Sequence, residues 1–350
     1  MLIYIHIPFC DSKCSYCAFN SYVDKFDLKE AYMLSLEKQL DFELTRFKTK
    51  EKSVETVFIG GGTPSTVEPK LYENIFKILK PYLIDNVEVT SEANPNSATK
   101  EWLKGMYNLG VNRISFGVQS FDTKKLKLLN RAHNPQQAKD AVLNAKKVGF
   151  ENISLDLIYA TLGDTKELLQ NDLNIAFSLP INHLSAYALI IEEGTPFEKK
   201  PQMSKERLEI TEWLFDEIKK HKFEQYEISN FGTYKSEHNL GYWRYTDYIG
   251  LGSGAVGKLG LQRFYPTCSV EDYISNPLDI RVESLNNEDK KIEQIFLGFR
   301  SCVGVHKDIL NKDELKQAKF LVDEKKLTYE NDTFYNTNYL LADEISLFIS

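Results

Sequence analysis

The sequence lacks any apolar run of about 18 residues, the length at which a membrane-spanning helix becomes credible. It lacks the basic start and small-residue cleavage site of a secretory leader: Met1–Cys10 reads MLIYIHIPFC, apolar for one strand's length only. It lacks a basic stripe, and its net charge of −7 excludes a nucleic-acid partner as the first expectation. Low-complexity tracts are missing too. There are only five cysteines, and three of them fall within eight residues, Cys10 to Cys17. So few, so bunched, do not build a disulfide framework; close spacing in a cytoplasmic chain points to metal. The cytoplasm is the expected location. With 350 residues, 42% of them apolar, the chain can bury one large core with a smaller domain attached.

What is present is alternation. Apolar or β-branched runs recur at Leu2–Ile7, Val54–Ile59, Val87–Ser91, Arg113–Val118, Ile153–Ile158 and Leu184–Ile190. Helical patterns separate them at Leu28–Phe47, Pro69–Leu79, Ala98–Asn108, Lys124–Leu129, Gln136–Val148 and Lys166–Phe177. Strand–helix repetition predicts an α/β fold with a parallel sheet, either an incomplete (β/α) barrel or an open doubly wound sheet. A helix over Ser204–His221 and a strand over Glu224–Ser229 follow. Residues 230–270, rich in Gly, Tyr, Asn and Trp, read as irregular. Helices at Asn287–Arg300 and Lys312–Glu324, a hairpin at Leu327–Asn336 and a last short helix predict a small α+β winged-helix-like domain.

The cysteines carry the chemistry. Cys10, Cys14 and Cys17 have the spacing Cys-x3-Cys-x2-Cys in the loop after the first predicted strand. Three thiolates suit three irons of a four-iron, four-sulfur cubane and leave the fourth iron open. The alternatives are three unrelated structural cysteines or a partial zinc site; a structural zinc wants four ligands, and no His or Cys pair at ligand spacing completes one. The spacing resembles the radical S-adenosylmethionine (SAM) superfamily, in which the open iron chelates the methionine end of SAM. Tyr16, just before the third cysteine, is expected to shield the cluster and to reach the adenine.

In a β/α barrel, function gathers at the C-terminal ends of the strands. The second strand ends on Gly60-Gly61-Gly62-Thr63-Pro64, where missing side chains let backbone approach a ligand, or simply make a tight turn. The third ends on Ser91-Glu92-Ala93-Asn94-Pro95, offering Glu92 to a ribose hydroxyl or an ammonium. The fourth ends on Phe116-Gly117-Val118-Gln119, with Gln119 able to donate and accept. Arg131 in Asn130-Arg131-Ala132-His133 suits a carboxylate fork. Asp156 lies inside an apolar strand and needs a partner there.

These motifs resemble the coproporphyrinogen oxidase-like branch of the radical SAM superfamily over nearly the whole chain. The resemblance implies a partial (β/α)6 TIM-like barrel with a C-terminal domain. It carries SAM contacts to Tyr4, Gly61, Gly62, Thr63, Glu92, Gln119, Arg131 and Asp156, with a backbone contact near Ile190. Within the branch, three features favour HemW-type haem chaperones over oxygen-independent coproporphyrinogen III oxidases. Phe19 stands where the oxidases carry a fourth cysteine. Only nine residues precede Cys10. The chaperone motif His-Asn-x-x-Tyr-Trp reads His238-Asn239-Leu240-Gly241-Tyr242-Trp243. An imidazole can be an axial haem ligand, so His238 is a haem-binding candidate; alternatively His238 and Asn239 tie down an irregular loop. One departure stands out: the family's Tyr-Gly-Leu-Pro-Gly after strand five is Tyr159-Ala160-Thr161-Leu162-Gly163 here.

The expectation is therefore a barrel over 1–235, a connecting segment over 236–285 and a winged-helix-like domain over 286–350. Its cofactors are the cluster, SAM and haem. Its partners are haem or a porphyrin, haem-accepting proteins and an electron donor, with transient membrane association and a homodimer both compatible. An oxidase converting coproporphyrinogen III to protoporphyrinogen IX, and a structural metal protein without SAM chemistry, are the alternatives.

Overall fold

The computed structural model describes all 350 residues. Six β/α units open the chain: β1 (Leu2–Ile7) and α1 (Lys29–Arg46), β2 (Val54–Gly61) and α2 (Glu73–Leu79), β3 (Leu83–Ala93) and α3 (Lys100–Leu109), β4 (Arg113–Gln119) with α4 (Thr123–Leu128) and α5 (Pro135–Val148), β5 (Asn152–Tyr159) and α6 (Lys166–Ser178), β6 (His183–Ala188) and α7 (Leu208–Lys220). β1 to β6 lie side by side in chain order, all parallel, as the alternation predicts. No helix is long and apolar enough to cross a membrane.

Strand alternation divides the labour between two faces. Ile3, Ile5 and Ile7 of β1 and Ile114, Phe116 and Val118 of β4 join a core of 54 buried residues beneath the helices. The inner face is polar and aromatic instead, with Tyr4, His6, Thr56, Phe58, Glu92, Arg113 and Asp156. Helix ends are set locally. Asn134 and Gln137 form a capping box on α5 with Pro135 in its first turn, and Gly149 ends that helix at a φ of 123°.

Residues expected to be irregular are not. After α7 come β7 (Glu224–Gln225), β8 (Asn230–Gly232), α8 (Glu237–Trp243), β9 (Tyr248–Leu251), β10 (Gly257–Leu259), β11 (Gln262–Pro266), α9 (Val270–Ser275) and β12 (Ile280–Ser284). β8 and β7 extend the sheet antiparallel beyond β6. β9 runs parallel to β1 on the other side, and β10 to β12 follow, giving one sheet of 12 strands. These added strands are two to five residues long, too short for a period to show. The last part holds α10 (Asn287–Phe299), β13 (Val305–His306), α11 (Lys312–Asp323), β14 (Leu327–Glu330), β15 (Thr333–Asn336) and α12 (Ala342–Ile349) around a separate core of ten residues. It meets the rest where Cys302 N donates to Tyr226 O at 2.8 Å and Tyr245 Oη to Glu293 Oε2 at 2.7 Å.

α8 forms the floor under the N-terminal ends of the strands. One buried side chain of β3 holds it there. Glu88 Oε1 accepts from His238 N at 3.0 Å and from Ser236 Oγ; Oε2 accepts from Glu237 N at 3.0 Å and Tyr234 Oη at 2.7 Å. A carboxylate at a helix N-terminus satisfies donors that have no partner inside the helix and faces the positive end of its dipole. Glu88→Ala should therefore destabilise the protein by roughly 3 kcal/mol in urea unfolding, because it strands several buried donors at once. A loss below about 1 kcal/mol would mean that water serves those donors equally well.

Candidate functional site

The opposite, C-terminal ends of the strands enclose a cavity of about 560 Å³. Cys10, Cys14 and Cys17 line it together with Tyr16, Gly61, Gly62, Thr63, Glu92, Gln119, Arg131, Asp156 and Ile190. Twelve of the fourteen residues singled out from the sequence thus share one cup. Tyr4 and His238 do not. They line a neighbouring hollow of about 430 Å³ beneath the cluster loop, with Phe58, Tyr242 and Tyr248.

The cup is built on glycine and strain. A Cβ on Gly62 would lie 3.0 Å from Cys10 Sγ and 2.9 Å from Ile7 O; one on Gly61, whose φ is 110°, would lie 2.5 Å from the His6 ring. The triple glycine is therefore required by close approach. Gly61 N donates to Glu92 Oε2 at 3.1 Å. Gln119 sits at a φ of 67° beside a break in the β4–β5 register, a strained conformation of the kind that clusters at functional sites.

A chain of hydrogen bonds joins two of the thiols. Arg131 Nη1 donates to Cys14 Sγ at 3.2 Å, and its Nη2 donates to Asn94 Oδ1 at 2.6 Å and to Gly117 O at 2.5 Å. Asn94 Nδ2 donates to Thr63 Oγ1 at 3.1 Å, and Thr63 Oγ1 donates to Cys10 Sγ at 3.4 Å. Asn94 was not assigned a role from the sequence, although it lies two residues after Glu92. Lys13, between the first two cysteines, pins the loop by donating to Phe19 O and Ser21 Oγ, each at 2.7 Å.

The electrostatics follow from burial. Desolvation, then the neighbouring Asp156, raises Glu92 to about 8, and desolvation also lifts Asp156. Burial pushes the Cys10 and Cys17 thiols upward. Two polar atoms here lack partners: Arg131 Nε and Gln119 Oε1. Orphaned buried donors and acceptors around three free thiols suit a polar cofactor beside a thiolate-held cluster. No three His, Cys, Asp or Glu side chains converge on a point where one metal ion would sit. A cubane asks for something else, each thiolate on its own iron.

Known proteins agree with this geometry. Residues 4–175 match the family model of the radical SAM superfamily. The chain is 36% identical over 326 residues to a Bacillus subtilis protein named heme chaperone HemW, covering 87% of this chain and 84% of that one. A Haemophilus influenzae protein of the same name is 33% identical, covering 99% and 97%. The chain belongs to the HemW-type family of radical SAM proteins. Its fold is that of Escherichia coli coproporphyrinogen III oxidase HemN, described as a radical SAM enzyme, with a TM-score of 0.82 over 99% of this chain and 89% of that one at 19% identity. The superfamily's cofactors are a four-iron, four-sulfur cluster and SAM.

Two of the expected residues lie outside the cup. Tyr4 sits below the cup, with its hydroxyl donating to His6 Nδ1 at 3.0 Å while His6 Nε2 donates to Asn20 O at 2.8 Å. His238 is not free to ligate iron in this arrangement. Its Nδ1 shares a 2.7 Å hydrogen bond with Thr56 Oγ1 and its Nε2 a 3.0 Å bond with Tyr242 Oη, and the ring stacks on Phe58. Burial lowers its pKa to about 3, so it stays neutral. For Tyr4, alternation tells which face a strand residue takes but not how far below the mouth it lies.

The Glu92 shift carries a sign. Its pKa is raised in the folded protein, so its contribution to stability is complete below the ordinary value of 4.5 and is lost as pH rises through about 8. Glu92→Gln keeps the neutral form at every pH. Without SAM, its stability relative to wild type should climb between pH 5 and 8, by at most about 1.4 kcal/mol per pH unit. A difference that stays flat in urea titrations across that range would refute the shift.

Proposed function

We propose that the chain is a radical SAM haem chaperone. Cys10, Cys14 and Cys17 hold the cluster; Gly61, Gly62, Thr63, Glu92, Gln119, Arg131 and Asp156 bind SAM, with Ile190 contributing backbone at the rim. The observation that carries the reading is near full-length kinship with proteins named heme chaperones, joined to a cup that gathers the three thiols. The cluster, when bound, supplies an open iron and one electron. The chain's own groups orient and shield: Arg131 braces the Cys14 sulfur while its free Nε remains for a carboxylate, Glu92 and Asp156 face the cationic and hydroxyl parts of SAM, and Tyr16 covers the loop. Phe19, 67% exposed, stands at the rim of the cup and offers an apolar face to a flat macrocycle. Haem-accepting proteins and an electron donor are the partners this function needs, in the cytoplasm.

The oxidase alternative has only the shared fold in its favour, since the HemN likeness is 19% identical. Anaerobically reconstituted protein should bind haem, pass it to an apo-haemoprotein and give no protoporphyrinogen from coproporphyrinogen III. Sustained protoporphyrinogen formation would overturn the chaperone reading, and Cys14→Ala should lose cluster absorbance and reductive SAM cleavage together. His238→Ala should leave the haem spectrum unchanged and lower stability by about 2 kcal/mol through the lost floor contacts; a shifted Soret band would restore His238 as a ligand.

A further inference from the structure

The sheet of 12 strands ends on β7 at one side and on β12 at the other. β7 is two residues long and shares a cleft with Asn338, Tyr339 and Leu340 of the C-terminal part. β12 is five residues long, and no strand lies beyond it. An open strand edge is a row of unpaired main-chain donors and acceptors, which proteins blunt with proline, a bulge, charge or a covering loop. Ile280-Arg281-Val282-Glu283-Ser284 contains no proline, pairs with β11 without a bulge and leaves Val282 47% exposed. Its one protective feature is charge, on Arg281 and Glu283, and those two charges have opposite signs.

Main-chain groups alternate along an antiparallel strand, so every second residue of β12 turns its N–H and C=O toward β11. Pro266, opposite Ile280, has no N–H to give, and Leu285 N donates to Leu261 O at 2.8 Å. Arg281, Glu283 and Leu285 are therefore the residues bonded to β11. Ile280, Val282 and Ser284 point their N–H and C=O groups outward. The side chains divide the same way between two faces. Tyr265 holds both charged residues on one face: the Arg281 guanidinium lies 4.1 Å from its ring centroid, and its Oη donates to Glu283 Oε2 at 2.5 Å. Neither charge enters an ion pair within the chain, whereas Arg263 of β11 meets Glu293. Val282 stands on the other face, opposite Phe264 of the main core.

We propose that β12 pairs with the same strand of a second copy of this chain, antiparallel about a two-fold axis through Val282. In that register all the outward-facing residues fall in hydrogen-bonded pairs: Val282 with the partner subunit's Val282, and Ile280 with the partner subunit's Ser284. Arg281 then stands opposite the partner subunit's Glu283, and Glu283 opposite the partner subunit's Arg281. Both charge pairs occupy the positions without main-chain bonds, where facing side chains come closest. Moving the axis by one residue keeps the ladder but sets Arg281 against its own copy, or Glu283 against its own. Moving it by half a residue faces outward groups with inward ones and breaks the ladder. Charge therefore selects the register centred on Val282. The contact is isologous, so it closes at two copies instead of running on as a fibre. It joins the two sheets into one and leaves both cups clear, because β9, β10 and β11 stand between β12 and β1. One short strand is a small interface, so the dimer is weak and reversible.

The test is analytical ultracentrifugation of the full chain, anaerobically reconstituted, from roughly 5 to 500 µM. Wild type should pass reversibly from monomer to dimer across that range. Arg281→Glu and Glu283→Arg each set like charges against one another at both cross-strand positions, and each should weaken self-association by about tenfold or more. Mixed in equal amounts, the two variants should associate with each other as wild type does, because both pairs are then of opposite sign again. Val282→Pro tests the ladder. The N–H it removes faces outward, so the variant should keep the thermal stability of the wild-type monomer and lose the dimer. A wild type that stays monomeric to the top of the range leaves the edge to another protein or to solvent and overturns the proposal. A dimer that survives Val282→Pro, or that ignores both charge variants, places the contact elsewhere and overturns it too. So does a mixture of the charge variants that fails to recover association, and this result decides the matter alone if Val282→Pro does not fold.

Discussion

The four hydrogen bonds that Glu88 accepts from residues 234–238 hold the floor shut, and the chemistry above depends on a shut floor. With α8 in place, the inner face is cut off from water at the N-terminal ends of the strands. Four ionisable groups, His183, His238, Glu92 and Glu227, then feel desolvation first. His183 and His238 stay neutral, Glu92 holds its proton to about 8, and Glu227 to about 7. An open floor would admit water and relax all four toward their ordinary values together. The polar inner face is thus one electrostatic unit, with Glu88 as the anion that closes it and Arg113 as the cation within it.

The mouth is organised on a different principle. Parallel strands end at nearly the same height, so the loops that follow must reach each other across short gaps. The triple glycine lets β2's loop press against Cys10, and the positive φ at Gln119 turns β4 sharply enough to bring Arg131 back over Cys14. The result is the continuous path Cys14–Arg131–Asn94–Thr63–Cys10, which crosses three loops. It gives two of the three sulfurs hydrogen-bond donors, and such bonds are among the levers that set the potential of an iron–sulfur cluster.

What could be read from the sequence followed from contiguity. Cys10, Cys14 and Cys17 are legible because three thiolates on one loop must be close in sequence, and the six β/α units because each repeats a period long enough to count. β9 to β12 were not legible: strands of three to five residues carry no usable alternation. Asn94 was quoted within its strand end but not seen as the link between Arg131 and Thr63, since that link depends on three loops meeting in space. Arg113 reads as the first residue of an ordinary strand; its burial on the inner face is a fact of depth. His238 shows another dependence on depth: its motif suggests a ligand by chemistry, and in the floor both of its ring nitrogens carry hydrogen bonds.

The turn after β5 shows how the cup tolerates departure from its family. Ala160 occupies the family's glycine position and adopts a φ of 60°, a conformation that costs a residue with a Cβ about 1–2 kcal/mol. The turn is held from several sides. Ala160 O accepts from Lys205 N and Leu162 N donates to Met203 O, each at 2.8 Å, while Thr161 bridges Ser204. Asp164 accepts from Thr161 N at 2.9 Å and meets Lys125 inside the protein. Lys125 reaches in from α4 to the turn after β5, and Asp172 of α6 accepts from Ser120 Oγ and Phe121 N of the turn after β4, so each turn is clamped to a neighbouring helix. A strained residue persists where surrounding contacts over-determine it. The missing Gly and Pro therefore leave the wall beside Asp156 standing, and the strain at Ala160 is met by contacts outside the cup rather than by the residues that would touch SAM.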